Sequence, residues 1–105
     1  MYKVLLSNEA EQDLHDIADY ISEQLQNPIS AVRTIAKIEK TLNKRLEAFP
    51  YSYPVHSYLE SLGIEYRRTI IDNFTAFYIV DDVAEVVTIT HIMYNKRDVS
   101  KLMKL

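Results

Sequence analysis

Between Ala10 and Phe49 the apolar residues recur every three or four positions, and after Ile64 that period gives way to three short runs of β-branched and aromatic residues. This change of period most constrains what the chain can fold into. Ala10, Leu14, Ile17, Ile21 and Leu25 form one stripe, and Val32, Ile35, Ile38, Leu42, Leu46 and Phe49 form another. Each stripe predicts an amphipathic helix with a single apolar face. The later runs, IEYRRTII, FTAFYIV and EVVTITHIM, predict strands. Helices segregated from strands imply an α+β layer fold, because two one-sided helices need a flat partner to cover.

Punctuation between the runs sharpens this. The opening YKVLLS reads as a strand that stops at Ser7-Asn8, and Asn8 with Glu11 has capping-box spacing. Glu9 and Glu11 sit where a helix N-terminus favours negative charge. Asn27-Pro28 starts the second helix with a capping side chain and a proline whose missing N–H costs nothing there, and Phe49-Pro50 ends it. So short a link predicts a helical hairpin. Asp72-Asn73 and Asp81-Asp82 are turn formers, so the three later strands should make an antiparallel meander. The stretch 50–63 is a loop, and DVSKLMKL a tail or short helix. The expected order is β-α-α-β-β-β, an α/β (α+β) fold with two helices packed on a mainly antiparallel four-stranded sheet. At 105 residues the chain is expected to form one domain, 1–105.

Composition narrows the chemistry. With no cysteine, disulfides, Cys-based zinc sites and thiol catalysis are excluded, and three scattered histidines make no metal site. No glycine-rich loop or nucleophile motif is present, so no cofactor is expected. No signal peptide or membrane-length apolar run is seen, so a cytoplasmic protein with no membrane partner is the expectation. The net charge of −3 and pI near 5.5 argue against a surface that clings everywhere to nucleic acid. Arg67, Arg68, Lys96, Arg97, Lys101 and Lys104 nevertheless gather in the second half, leaving room for a local basic patch.

The densest chemistry lies in HIMYNKRD, His91 to Asp98. His91, between Thr90 and Ile92, reads as a half-buried packing residue or as a base; Tyr94 stands where a phenol can bury its ring and wet its oxygen. Lys96 and Arg97 suit either a solvated strand end or a phosphate contact, and Asp98 either a contact or a cap for the tail. Strand parity sends Arg67 and Arg68 to opposite faces without saying which face meets solvent, and Arg67 could pair with Glu65 or Glu85. Tyr51, Tyr53, His56 and Tyr58 could stack on bases or pack over a sheet edge.

Taken in order, YKVLLSNEAEQDLHDIADYI, the helix start at Pro28, FPYSYP, EYRRTIIDNFTAFYIV and VVTITHIMYNKRDVSKLM resemble the RelE/ParE superfamily of toxins from bacterial type II toxin–antitoxin modules. The resemblance implies a toxin held inactive by an antitoxin that wraps it, and one of two targets. ParE-like members poison DNA gyrase; RelE-like members cut mRNA on the ribosome. Cleavage by a 2′-hydroxyl needs a proton acceptor, a proton donor and cations for the phosphoryl oxygens. The resemblance places such groups, on this chain, among Arg68, Tyr94, Arg97, His91, Lys96 and Arg67. The ribonuclease branch usually carries an arginine on the central strand, where this chain reads Thr75-Ala76-Phe77-Tyr78. Asn73-Phe74 and Arg97-Asp98 match features frequent in ParE-like sequences. The expectation is therefore a gyrase-inhibiting toxin that is not itself an enzyme. The alternatives are a ribosome-dependent endoribonuclease and an inactive toxin-like binding partner.

Overall fold

The computed structural model describes residues 1–55, 63 and 65–95. Strand β1 (Lys3–Leu6) leads into helix α1 (Asn8–Asp19), which continues as a π-helical turn, Tyr20–Gln24. Helix α2 (Pro28–Ala48) folds back on it, and β2 (Arg67–Ile71), β3 (Phe74–Asp81) and β4 (Val86–Tyr94) follow. The cap of α1 is Ser7, one residue before the expected Asn8. Ser7 keeps an extended backbone, its Oγ accepts the Ala10 N–H at 3.0 Å, and its hydroxyl donates to the Thr90 carbonyl at 3.0 Å. One side chain thus ends the strand, starts the helix and fastens both to β4. The second cap is as expected: Asn27 Oδ1 accepts the Ser30 N–H at 3.1 Å, with Pro28 at the first helical position.

The sheet runs β1-β4-β3-β2, with β2, β3 and β4 an antiparallel meander and β1 parallel to β4. Asp72-Asn73 makes a two-residue hairpin turn, with Asp72 in the left-handed region that aspartate tolerates. At the next turn the Asp81 carboxylate accepts the N–H groups of Val83 and Ala84 at 3.0 and 3.1 Å. A β-bulge interrupts the β3–β4 ladder: Tyr78 pairs with Ile89 and Phe77 with His91, leaving Thr90 as the extra residue. The Thr90 hydroxyl donates to the Phe77 carbonyl at 3.2 Å, which compensates the broken ladder. Side-chain parity in β4 therefore switches at Thr90. Val87 and Ile89 are buried against the helices before it, and Ile92 after it.

The core joins Leu14, Ile17 and Ile21 of the first helical arm, Ile38, Leu42 and Leu46 of α2, and Ile71, Phe74, Ala76 and Tyr78 of the sheet. Two residues of the second stripe depart from expectation. Val32 and Phe49 are exposed and Ala31 is buried instead; Phe49 is the C-cap, where the backbone has already left the helix. Tyr78 is completely buried, and its hydroxyl donates to the Pro50 carbonyl at 2.6 Å. Burial pushes this phenol well above the usual tyrosine range.

Candidate functional site on the open face of the sheet

Both helices lie on one side of the sheet, and on the opposite face Arg68, Ile70, Ile79 and His91 are exposed while Thr75 is buried among them. Three strands place Arg68, Phe77 and His91 in one row, each the Cα partner of the next. Ile70, Thr75 and Met93 form the next row, and Ile79 and Thr88 lie on the other side. Ile70 is 59% exposed, with Ile79 and Leu5 also exposed, so a guanidinium and an imidazole stand on an apolar band. Strand spacing sets the backbones of Arg68 and His91 about 10 Å apart.

His91 owes this position to the bulge. In an unbroken strand it would share the face of Val87 and Ile89 and pack in the core; the extra Thr90 turns it outward, and its side chain is 52% exposed. The packing role open to it in sequence is thereby removed. Asp13 of α1 stands beside it. Because β1 ends at Leu6, the Ile92 N–H has no strand partner, and Asp13 Oδ2 accepts it at 2.9 Å, lying 3.7 Å from His91 Nδ1. Burial raises the Asp13 pKa, while the Ile92 N–H and the charge of His91 pull it down. Nothing local in the sequence marks Asp13, since its partner is 79 residues away.

Arg67 and Tyr94 face the other way. Arg67 donates through Nη1 to the Tyr53 carbonyl at 2.8 Å and through Nη2 to Glu65 at 3.0 Å, and its guanidinium lies 4.9 Å from the Tyr51 ring. Of the two carboxylates open to it in sequence, Glu65 is the partner. Tyr51 in turn shares Asp82 with Tyr2, whose hydroxyl donates to Asp82 Oδ1 at 2.7 Å. The hydrogen bond to Asp82 pushes the Tyr51 phenol up to about 12 and, with that from Tyr2, holds the Asp82 carboxyl below its usual range. Tyr94 packs edge-on to Tyr20 at 5.8 Å and against Phe74 at 5.0 Å. It lines a cavity of about 220 Å³ with Ile21, Lys37, Asp72 and Phe74.

Of the six candidates, then, the structure brings Arg68 and His91 together on the open face and sets Arg67 and Tyr94 on the helix side. Lys96 and Arg97 lie outside the described residues, as do Asp98, the tail, His56 and Tyr58. Among the described residues no cluster of three His, Asp or Glu side chains could hold a metal, and no helix is long and apolar enough to cross a membrane.

Two helices over one face of a mixed four-stranded sheet is an architecture shared with solved toxin–antitoxin complexes. The chromosomal ParDE system from P. aeruginosa matches with a TM-score of 0.66 and 19% identity, covering 90% of this chain and 96% of that one. The RelBE2 toxin–antitoxin complex from Mycobacterium tuberculosis matches with a TM-score of 0.58 and 16% identity, covering 89% and 96%. No curated protein sequence matches significantly. Residues 4–99 match the family described as ParE toxin of type II toxin-antitoxin system, parDE. The chain belongs to that family of type II toxins.

Proposed function

We propose that this toxin arrests growth by inhibiting DNA gyrase and is silenced by an antitoxin that covers the open sheet face. One observation carries the choice of target. Among the described residues the groups that RNA cleavage would recruit are divided between two faces: Arg67 is held by Tyr53 and Glu65 and Tyr94 is packed among aromatic rings, while Arg68 and His91 stand on the far side. Acid, base and cation acting on one phosphate must converge within hydrogen-bond reach. A flat apolar face with a protruding arginine suits protein docking instead. The antitoxin follows from the same face and from the ParDE and RelBE2 likenesses, both of which are toxin–antitoxin complexes.

A second reading, ribosome-dependent mRNA cleavage, draws on His91 with Arg68 in the same row, because an exposed imidazole with a carboxylate 3.7 Å away suits a general base. One experiment separates the two. The chain is induced without its partner while transcripts are mapped and purified gyrase is assayed. Trapped gyrase–DNA cleavage complexes with intact mRNA are expected. Codon-phased cuts that vanish in His91→Ala and Arg68→Ala would instead establish the nuclease, and unimpaired growth would leave only the inactive binding partner.

A further inference from the structure

The acidic total of −3 hides a segregation of charge between the two helical arms. From Asn8 to Gln24 the first arm carries Glu9, Glu11, Asp13, Asp16, Asp19 and Glu23 and neither lysine nor arginine. Helix α2 reverses the sign, with Arg33, Lys37, Lys40, Lys44 and Arg45 against Glu39 and Glu47. Four of these cations are spaced four, three and four residues apart, which keeps them on one side of the helix. At 100° per residue that side lies opposite the buried stripe of Ala31, Ile38, Leu42 and Leu46, and all four cations are exposed. Arg45 is separate: it turns inward and donates to Thr69 Oγ1 and the Ile70 carbonyl. Arg33, Lys37, Lys40 and Lys44 thus form a straight ridge about 16 Å long on a rigid rod.

Cations at neighbouring helical turns repel one another, and a polyanion laid along the ridge would relieve that repulsion. Among the described residues Lys37 has an ion-pair partner, Asp72 at 2.6 Å, and both side chains are more than half exposed, where such a pair contributes little. We infer that the α2 ridge binds the phosphodiester backbone of a duplex nucleic acid. A line of exposed point charges suits a ligand whose own charges are repeated and uniform. A duplex supplies one phosphate per about 1.7 Å of axis. An acidic peptide presents carboxylates at irregular spacing, whereas the four cations recur turn by turn along the helix. The acidic first arm restricts the approach of a polyanion to the α2 flank, so the contact is oriented although the protein as a whole is anionic. Binding would be independent of base sequence, since contacts to phosphate position a protein without reading bases. This surface lies on the helix layer, apart from the open sheet face, and its role does not rest on gyrase being the target.

The test uses the full chain and fluorescence anisotropy with a labelled DNA duplex, an RNA duplex of the same sequence and poly-L-glutamate. Four phosphate contacts predict a log–log salt slope near −3.6 on B-DNA, or roughly a 150-fold loss of affinity between about 50 and 200 mM salt. The quadruple variant R33Q/K37Q/K40Q/K44Q should lose at least about tenfold in affinity and flatten that slope towards zero. The charge-keeping variant R33K/K37R/K40R/K44R should retain both. Unchanged circular dichroism in the glutamine variant would exclude misfolding as the cause. Binding of either duplex with this pattern supports the inference, and the duplex preferred identifies the source of the phosphates. Absence of duplex binding at low salt, a glutamine variant that binds as well as the parent, or poly-L-glutamate bound as tightly as the duplexes would each overturn it.

Discussion

Arg67 and Arg68 are adjacent, identical in chemistry and opposite in use. Arg67 is turned to the helix side with 17% of its side chain exposed and ties the loop at Tyr53 to the sheet edge; Arg68 stands on the open face in line with Phe77 and His91. The contrast repeats one strand over, where Tyr78 is fully buried and Phe77 only partly. A pleated strand makes such pairs unavoidable, and position on the sheet decides which member holds the fold and which is left for a partner. Residue type alone could not tell the two arginines apart.

The comparison can be broken most sharply at Tyr78. Tyr78→Ala should lower unfolding free energy by about 3–5 kcal/mol in urea denaturation, since it removes a large buried ring. Phe77→Ala, on the open face, should cost well under half as much; equal losses would mean that the two faces are not distinct in packing.

Next in size is the arginine pair itself. Arg67→Ala should cost about 1.5–3 kcal/mol, because it removes charged hydrogen bonds to Tyr53 and Glu65. Arg68→Ala should stay within about 0.5 kcal/mol of the parent yet weaken growth inhibition or antitoxin capture. A stability loss at Arg68 matching that at Arg67 would contradict the assignment of faces.

A smaller effect is expected at Asp13. Its folded carboxyl pKa is raised, chiefly by burial, so the folded state holds the proton more tightly than the unfolded chain. Its contribution to stability is therefore greatest below the ordinary carboxylate range and declines as pH rises through the raised value. Asp13→Asn should flatten that part of the pH–stability curve measured by thermal melts, and an unaltered curve would show that another group is responsible.

The smallest signal lies at the far end of the sheet. Tyr51, raised to about 12 by Asp82, contributes stability that is intact below its ordinary pKa of about 10 and is lost as pH rises through about 12. Asp82, held low, contributes above the ordinary carboxylate pKa and loses that contribution as pH falls through its folded value. In Asp82→Asn, NMR titration should find the Tyr51 phenol ionising nearer the usual tyrosine value; a phenol still held near about 12 would assign the shift to burial.

The helices and the meander were legible in sequence because their signals are local: apolar period, proline at Pro28, and turn formers at Asp72 and Asp81. The chemistry of the open face was less so. Its decisive feature is the bulge at Thr90, which reverses the facing of His91 and is stabilised by Ser7 and by the Thr90 hydroxyl on Phe77, contacts between segments distant in sequence. The true cap at Ser7 eluded the spacing rule for a related reason, since Asn8 is an equally good capping residue and the tie to Thr90 favours its neighbour. The α2 ridge is readable from four spaced cations, but in the net charge of −3 it is averaged against the acidic arm before it.

The parallel seam between β1 and β4 also bears on when the open face is completed. Leu6 is in register with Ile89, so during synthesis β1 waits for a partner strand made much later in the chain. At about 5–20 residues per second that interval is roughly 4–17 s. During it the helical hairpin can form from local contacts, but the sheet cannot close, and so distant a pairing is slow to find even after release. Until the seam closes, the Asp13–Ile92 contact that follows from it cannot form, and the row through Arg68, Phe77 and His91 is incomplete. A chain that has not yet reached β4 therefore lacks a finished face.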